Sequence, residues 1–241
     1  MDYYAAAVRE DGTFCRGTDG LLVKGYKLSN GEKIIVMAYC DKENSARRVV
    51  RKRSVFLTNW FKKKVGQRTD YVIRMVESCC EELYMDLNIG LVHGEVVRGK
   101  EIEDYLEESM WKILKKRRFA KKAELSVICF YGQKLFAFSN TGRGIFLLGN
   151  CGMSEMKGFS RLAGKELMKR RAEVRDSQTI VMGSDSFFEN ISKDELHVNL
   201  CPQMCMDNET MESSLEELGE IVRGRNGGRA FGAAALCMAA N

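Results

Sequence analysis

The chain has 241 residues, of which 45% are hydrophobic and 29% are charged, a balance typical of a folded domain rather than of a disordered chain. The formal net charge of +5 is modest for this length, so charge alone does not predict nucleic-acid binding. The longest uncharged apolar runs, Ile34 to Cys40 and Gly232 to Ala240, are shorter than the ~20 residues that a membrane-spanning helix needs, so we expect one domain over residues 1–241 with no membrane span.

Three short strands are predicted near the N-terminus, at Tyr3–Arg9, Leu21–Leu28 and Lys33–Cys40. The pair Asn30-Gly31 lies between the last two, and this dipeptide is a strong hairpin signal. The sequence therefore predicts an N-terminal β-meander.

Helical spacing dominates the next segment. Apolar residues recur close to every third or fourth position over residues 49–65, 72–83 and 102–113, which predicts three amphipathic helices. The first is rich in Arg and Lys. The last begins with acidic residues and ends with basic residues, the order that complements a helix dipole. A loop is predicted near residues 88–100.

Strands return in the second half of the chain. The predicted elements are strands at Leu125–Tyr131, Lys134–Ser139, Arg143–Leu148 and Thr179–Gly183, a capping box from Ser192 to Glu195, a helix at Leu215–Val222, and a final strand at Gly232–Met238. The first three strands form a second predicted meander. Because strands come in runs rather than alternating singly with helices, we predict a layered α/β (α+β) fold in which an antiparallel β-sandwich is flanked by helices.

Three aspartates mark the ends of predicted strands. Asp19 precedes the second strand, Asp41 ends the third, and Asp185 follows the strand Thr179–Gly183. Carboxylates gathered at one end of a sheet can hold two divalent ions about 4 Å apart for the hydrolysis of a phosphate ester. Asp is also a common turn former at strand ends, and position alone does not decide between these interpretations.

Four segments resemble the protein phosphatase 2C family over nearly the whole chain. The segment SQTIVMGSDSFFENISKDEL is similar to the family's apolar strand that ends in Ser-Asp-Gly and leads into a helix. KKAELSVICFYGQKLFAFSNTGRGIFLLGN resembles its central meander with Gly-Asp-Ser-Arg. KIIVMAYCDKENSA lies where the family has a strand ending in Asp-Gly-x-Gly-Gly, and FCRGTDGLLV lies at its first motif.

The resemblance implies a metal-dependent phosphatase that acts on phosphoserine or phosphothreonine. It implies two Mg²⁺ or Mn²⁺ ions bridged by Asp41, with Asp185 on one of them and Asp19 in their first or second shell. Lys42 lies at the position where the family uses a backbone carbonyl as a ligand, and Arg16 is the candidate phosphate-binding arginine. In the family, a metal-bridging water attacks phosphorus directly, without a covalent phosphoenzyme.

Several positions depart from the family pattern. Lys42 replaces a glycine, Arg143 replaces the aspartate of Gly-Asp-Ser-Arg, and Ser186 replaces the glycine of Ser-Asp-Gly. The family also takes a ligand from an Asp-Asn pair just before its last strand, whereas this chain has no Asp or Glu after Glu220. Affinity for hard cations follows ligand charge and number. We therefore predict weak hydrolysis of a phosphoprotein or, as the alternative, an inactive pseudophosphatase that binds a protein partner.

Two further features have simpler interpretations. His197, Cys201 and Cys205 could hold three zinc ligands, but no fourth ligand is evident and buried thiols are the simpler alternative. The basic runs at residues 47–53 with 62–64 and at residues 112–122 could contact nucleic acid or an acidic protein. Solvated helix faces are the simpler explanation, and we predict no nucleic-acid partner. The odd count of nine cysteines favours free thiols and a cytoplasmic location.

Overall fold

A computed structural model of the chain describes residues 2–10, 20–42, 55–115, 123–141, 144–150, 152–163, 167–173 and 177–239. Within these residues it contains eleven strands and five helices. The strands are β1 (Asp2–Glu10), β2 (Gly20–Lys27), β3 (Lys33–Lys42), β4 (Ala123–Tyr131), β5 (Lys134–Ser139), β6 (Ile145–Gly149), β7 (Gly152–Glu155), β8 (Ser160–Arg161), β9 (Met168–Glu173), β10 (Gln178–Gly183) and β11 (Phe231–Ala239). The helices are α1 (Val55–Val92), α2 (Gly99–Lys115), α3 (Asp185–Phe188), α4 (Lys193–Leu200) and α5 (Asn208–Arg225).

The described strands form two antiparallel sheets. Sheet I has the order β1-β11-β10-β6-β7, and sheet II has the order β2-β3-β4-β5-β9-β8. Every paired strand runs antiparallel to its neighbour. The two inner faces pack on each other through a cluster that includes Met37, Ile128, Ile180 and Leu236. The predicted antiparallel sandwich is therefore confirmed.

Helices cover the outer face of each sheet. Helices α1 and α2 pack on sheet II through residues such as Val76 and Leu106. Helices α3, α4 and α5 pack on sheet I through residues such as Phe187 and Leu215. No helix in the described part of the chain is both long and apolar enough to cross a membrane.

The central strands are apolar along their whole length because both of their faces are buried. In β11, Ala233 and Ala235 face the helices of sheet I, whereas Ala234 and Leu236 face sheet II. A strand covered on both sides has no solvent-facing positions for polar residues, so its sequence loses the usual alternation. This accounts for the run FGAAALCMA.

Each of the two predicted meanders is wrong for one strand, which pairs in sheet I instead. β1 does not pair with β2. It lies in sheet I, where it pairs with β11 from Asp2↔Ala239 to Glu10↔Phe231. Likewise β6 leaves the second meander and pairs with β10 in sheet I. Local spacing predicts that a strand exists, but its partner depends on contacts distant in sequence.

The predicted helices of residues 49–65 and 72–83 correspond to one structural element, apart from residues 49–54, which lie outside the described ranges. The single helix α1 spans Val55–Val92, and no proline interrupts it, since the only proline of the chain is Pro202. The loop predicted near residues 88–100 is correspondingly shorter, because α1 continues to Val92 and α2 starts at Gly99.

Candidate functional site at the strand ends

A short crossover fixes which ends of the two sheets lie together. Strand β5 ends at Ser139 in sheet II, and β6 starts at Ile145 in sheet I. Only residues 140–144 separate them, and such a short connection cannot reach from one end of the sandwich to the opposite end. The end of sheet II at Ser139 and the end of sheet I at Ile145 are therefore at the same end of the sandwich.

Strand registers then place two of the predicted aspartates at this end. Ser139 pairs with Ser126 of β4, and Ser126 pairs with Tyr39 of β3, so the last residues of β3 reach the crossover. Asp41 lies in these last residues, opposite Glu124. In sheet I, Ile145 pairs with Met182 of β10, and Asp185 follows three residues later. The backbone of Asp41 and the start of α3 at Asp185 thus share one end of the sandwich.

Buried polar side chains also mark this end of sheet II. Ser126 and Ser139 are 4% and 0% exposed, and their hydroxyl groups form a hydrogen bond of 2.9 Å. Asn140, directly after β5, forms two hydrogen bonds with Leu125 of β4. Its side-chain oxygen accepts the Leu125 N–H at 2.9 Å, and its backbone N–H donates to the Leu125 carbonyl at 3.2 Å. These bonds hold the strand ends in a fixed register next to the crossover.

Asp185 is held at the first turn of α3 by a buried cap. The Ser184 hydroxyl is the N-cap, and it accepts the N–H of Phe187 at 3.1 Å. It also accepts the N–H of Gly232, the second residue of β11, at 3.3 Å. Asp185 itself is exposed, and a carboxylate at a helix start is favoured by the helix dipole. One hydroxyl therefore ties the position of Asp185 to strand β11 of sheet I.

Ser186 has an unusual environment beside Asp185. Its hydroxyl oxygen is buried, and it has no hydrogen-bond partner among the described residues. A buried hydroxyl left unpaired costs about 1–3 kcal/mol. A glycine at this position, as in the motif that the segment resembles, would not carry that cost.

The turn before the last strand, residues 226–230, contains no Asp or Glu, and its one charged residue is Arg229. The two residues immediately before β11 are Arg229 and Ala230. The Arg229 guanidinium donates to the Glu189 carboxylate at 2.9 Å and to the Asn226 carbonyl at 3.1 Å. Glu189 is the C-cap of α3, so the positive charge of Arg229 lies at the end of the same short helix that begins with Asp185.

The buried side chain of Asn226 holds this turn through two hydrogen bonds to its backbone. It is 4% exposed, its side-chain amide donates to the Arg229 carbonyl at 2.7 Å, and its side-chain oxygen accepts the Gly228 N–H at 3.0 Å. Gly227 and Gly228 have φ values of 62° and 74°, a conformation that glycine adopts without strain. Sequence reasoning noted the missing acid in this segment, but it did not identify Arg229 as the residue beside α3.

The predicted metal site is only partly within the described residues. Arg16, Asp19 and Arg143 lie outside them, and for Asp41 and Lys42 the structure describes the backbone alone. Asp185 is thus the only predicted ligand whose side chain is described. No group of three or more His, Cys, Asp or Glu side chains within the described ranges could hold a metal ion. The described donor set does not by itself fit a two-metal site.

The alternative zinc group of His197, Cys201 and Cys205 does not form. The His197 ring nitrogen Nε2 lies 3.0 Å from the Gly149 carbonyl oxygen. Cys201 and Cys205 are buried free thiols, and the pKa of Cys205 is raised by a hydrogen bond to Cys237 and by burial. All three residues are described, and they do not gather as ligands. The interpretation as buried thiols agrees with this packing.

The capping box predicted from Ser192 to Glu195 is confirmed and has an additional partner. The Ser192 hydroxyl accepts the Glu195 N–H at 3.1 Å, and the Glu195 carboxylate accepts the Ser192 N–H at 2.8 Å. Arg225 at the end of α5 donates to both Glu195 oxygens, at 2.9 and 2.7 Å. Arg225 is the main reason that the pKa of Glu195 falls to about 2. This ion pair fixes α4 against α5 on the sheet I side.

Solved bacterial phosphatases share this fold, although no protein-family model and no curated protein matches the sequence. The serine/threonine phosphatase of S. agalactiae aligns with a TM-score of 0.63 at 9% identity, over 98% of this chain and 100% of that one. The catalytic domain of the phosphatase PstP, solved with two manganese ions, aligns with a TM-score of 0.59 at 11% identity, over 99% of both chains. A chain of SpoIIE from Bacillus subtilis that contains the protein phosphatase 2C domain and a fragment of the regulatory domain aligns with a TM-score of 0.61 at 12% identity, over 99% of this chain and 64% of that one.

Proposed function

From a fold of the protein phosphatase 2C type with an altered strand-end site, we propose that the chain is a pseudophosphatase. In this proposal the domain binds a protein partner, and it has lost the two-metal hydrolysis of phosphoserine and phosphothreonine. The proposal rests on the turn of residues 226–230 just before the last strand, where the resembled family has an Asp-Asn pair. This turn contains no Asp or Glu, and its one charged residue is Arg229, whose guanidinium pairs with Glu189. A positive charge at this position opposes the binding of divalent cations.

Two sequence features add to this charge argument. Lys42 follows Asp41 directly, and Arg143 replaces a family aspartate. The predicted acidic ligands Asp19, Asp41 and Asp185 carry at most three negative charges against the four positive charges of two dications. Because hard-cation affinity depends on ligand charge and number, two ions about 4 Å apart would repel each other with little compensation.

Weak metal-dependent hydrolysis is the second candidate function. It is favoured by the placement of Asp41 and Asp185 at the same end of the sandwich. In that case Asp41 and Asp185 would hold Mg²⁺ or Mn²⁺, which supplies an activated water, and Arg16 would bind the phosphate of a phosphoprotein substrate. Either function involves a protein partner, and neither requires nucleic acid.

A phosphatase assay separates the two functions. Hydrolysis of p-nitrophenyl phosphate and of a phosphothreonine peptide is measured with and without millimolar Mn²⁺, for the natural chain and for Asp41→Asn. Asp194→Asn, an exposed carboxylate on α4, serves as a control that removes one acid from another part of the surface. We expect the natural chain to turn over no faster than Asp41→Asn.

The opposite result would establish the second candidate. Mn²⁺-dependent turnover that Asp41→Asn abolishes and Asp194→Asn preserves would show a working site at the strand ends. Turnover that survives Asp41→Asn would point instead to a contaminating phosphatase, and it would leave the pseudophosphatase proposal standing.

A further inference from the structure

Strand β2 is an edge strand with an outward row of backbone groups. It is the first strand of sheet II and pairs only with β3. The Leu28 N–H donates to the Glu32 carbonyl, which makes Leu28 and Glu32 a hydrogen-bonded pair. Because such pairs alternate along an antiparallel ladder, Val23, Gly25 and Lys27 direct their N–H and C=O groups away from β3. No hydrogen bond in the described part of the chain reaches these outward groups.

The neighbouring edge of sheet I is closed at the corresponding place. The Ala5 N–H of β1 donates to the Asn208 side-chain oxygen at 3.0 Å, so the first residue of α5 covers the edge of β1. The edge of β2 has no such cover among the described residues. Natural proteins usually protect or use an exposed edge strand, because it can pair with another chain.

A cleft of about 270 Å³ lies between β1 and β2. Its apolar wall contains Ala5, Val23 and Ile35. Gly25 also lines it, and a Cβ atom built at Gly25 would meet no atom within 4 Å. The missing side chain therefore leaves space for an apolar group supplied by a ligand.

Two lysines line the same cleft without a counter-charge. Lys27 and Lys33 are directly opposite each other on β2 and β3, both are exposed, and both line the cleft. Neither forms an ion pair within the described ranges, whereas Lys24 on the opposite face of β2 pairs with Glu77 and Glu81. Like charges directly opposite each other destabilise a sheet, and inward lysines disfavour pairing with a neutral or basic strand. An acidic side chain would relieve both effects.

We propose that β2 binds an extended acidic peptide segment of a partner protein as an added antiparallel strand. Residues directly opposite each other in such a ladder place their side chains on the same face. The bound segment therefore has Asp or Glu opposite Lys27 and, two residues later, a large apolar residue opposite Gly25. Its pattern is acid-x-apolar, read from its N-terminus. The site lies away from the strand-end aspartates, so the proposal does not depend on whether the domain hydrolyses phosphate.

The test uses an unphosphorylated fluorescent peptide that contains Asp-Thr-Phe-Thr-Val, and it is carried out without metal. A second peptide replaces the Asp by Lys, and a third replaces the Phe by Ser. Binding to the full chain is followed by fluorescence anisotropy. Hydrogen exchange of the amides of residues 21–27 reports whether the peptide pairs with β2. We expect the Asp peptide to bind at least about tenfold more tightly than the Lys peptide, because opposite charges at an interface select the partner.

Two sets of variants test the backbone and the charges separately. Gly25→Pro removes an outward N–H without removing a β2–β3 hydrogen bond, and it should abolish binding. Gly25→Ala keeps that N–H and fills only part of the space beside it, so it should weaken binding much less. The double variant Lys27→Glu, Lys33→Glu changes two exposed side chains, so folding should persist, and it should reverse the preference to the Lys peptide. Circular dichroism checks that each variant remains folded.

Three results would overturn the proposal. The first is the absence of binding by the Asp peptide up to about 1 mM, a concentration at which even weak complexes form. The second is equal binding of the Asp and Lys peptides by the natural chain. The third is a stable dimer of the natural chain that Gly25→Pro dissociates, which would assign the edge of β2 to a second copy of this chain. Protection of residues 21–27 by the Asp peptide alone would support the proposal.

Discussion

The buried core, both between the sheets and under the helices, and the end of the sandwich at Asp185 place different demands on the sequence. The core needs apolar residues of suitable volume, and many sequences meet that need. The strand-end site needs particular charged groups at particular positions. This chain shares its fold with bacterial phosphatases at 9–12% identity, while the turn before its last strand, residues 226–230, contains no Asp or Glu. The fold therefore does not depend on an acid in this turn.

Removing volume from the interior should have the largest effect. Phe231 is fully buried, with its ring centroid 6.3 Å from that of Phe187. We expect Phe231→Ala to lower the free energy of unfolding by about 3–5 kcal/mol, because it leaves a cavity. Phe231→Leu keeps most of the volume and should cost less than about 1.5 kcal/mol. Urea denaturation measures both, and equal losses for the two variants would show that ring identity, not volume, matters there.

Removing the buried Ser184 cap, which links β11 to the start of α3, should have the next largest effect on the free energy of unfolding. Ser184→Ala removes the hydroxyl that accepts the Gly232 N–H and one of the two acceptors of the Phe187 N–H, which also donates to the Ser184 carbonyl. We expect a cost of about 1–3 kcal/mol in the free energy of unfolding. Ser192→Ala removes an exposed cap of the same type and should cost about 1 kcal/mol or less. Thermal or urea unfolding of the two variants gives the comparison. If Ser192→Ala cost more, burial would not explain the role of Ser184.

Changing the charge at Arg229 tests the demand that the strand-end site places on the sequence. We expect Arg229→Asp to raise the affinity for Mn²⁺ at least about tenfold, since cation affinity follows ligand charge. Arg229→Asn removes the positive charge without adding a carboxylate, and it should give a smaller gain. Isothermal titration calorimetry measures both affinities. Equal affinity of Arg229→Asp and the natural chain would show that this turn does not face the metal position.

The smallest expected effect concerns the ion pair between Glu195 and Arg225. The pKa of Glu195 is lowered from its usual 4.5 to about 2, mainly by the hydrogen bonds from Arg225. A lowered pKa in the folded state means that the stabilisation is fully present above a pH of about 4.5 and is lost as the pH falls toward about 2. Arg225→Gln should raise the Glu195 pKa toward its usual value. A carboxyl titration by NMR would measure this, and an unchanged pKa would assign the shift to Ser192 instead.

Local signals predicted the elements better than their partners. The hairpin at Asn30-Gly31 and the capping box at Ser192 depend on a few adjacent residues, and both are present. The pairing of β1 with β11 joins opposite ends of the chain, and no local pattern encodes it. The cleft beside Gly25 depends on that pairing, because β1 forms one of its walls. It could not be predicted while β1 was assigned to the same meander as β2.

The site was predictable to the extent that it depends on motifs. Resemblance directed attention to Asp41 and Asp185, and the strand registers place the Asp41 backbone and Asp185 at one end of the sandwich. The sequence also revealed the absence of acids after Glu220. It could not reveal that Arg229 contacts Glu189, because this pair joins a turn and a short helix that are separate in sequence.

Mn²⁺ binding to the natural chain, measured by isothermal titration calorimetry, tests the central claim most directly. The account predicts no binding, or a single weak site that Asp41→Asn removes, because at most three carboxylates would oppose the four positive charges of two Mn²⁺ ions. Asp194→Asn should leave the titration unchanged. Tight binding of two Mn²⁺ ions per chain, lost in Asp41→Asn, would contradict the account and would show that the strand-end site keeps its full metal chemistry.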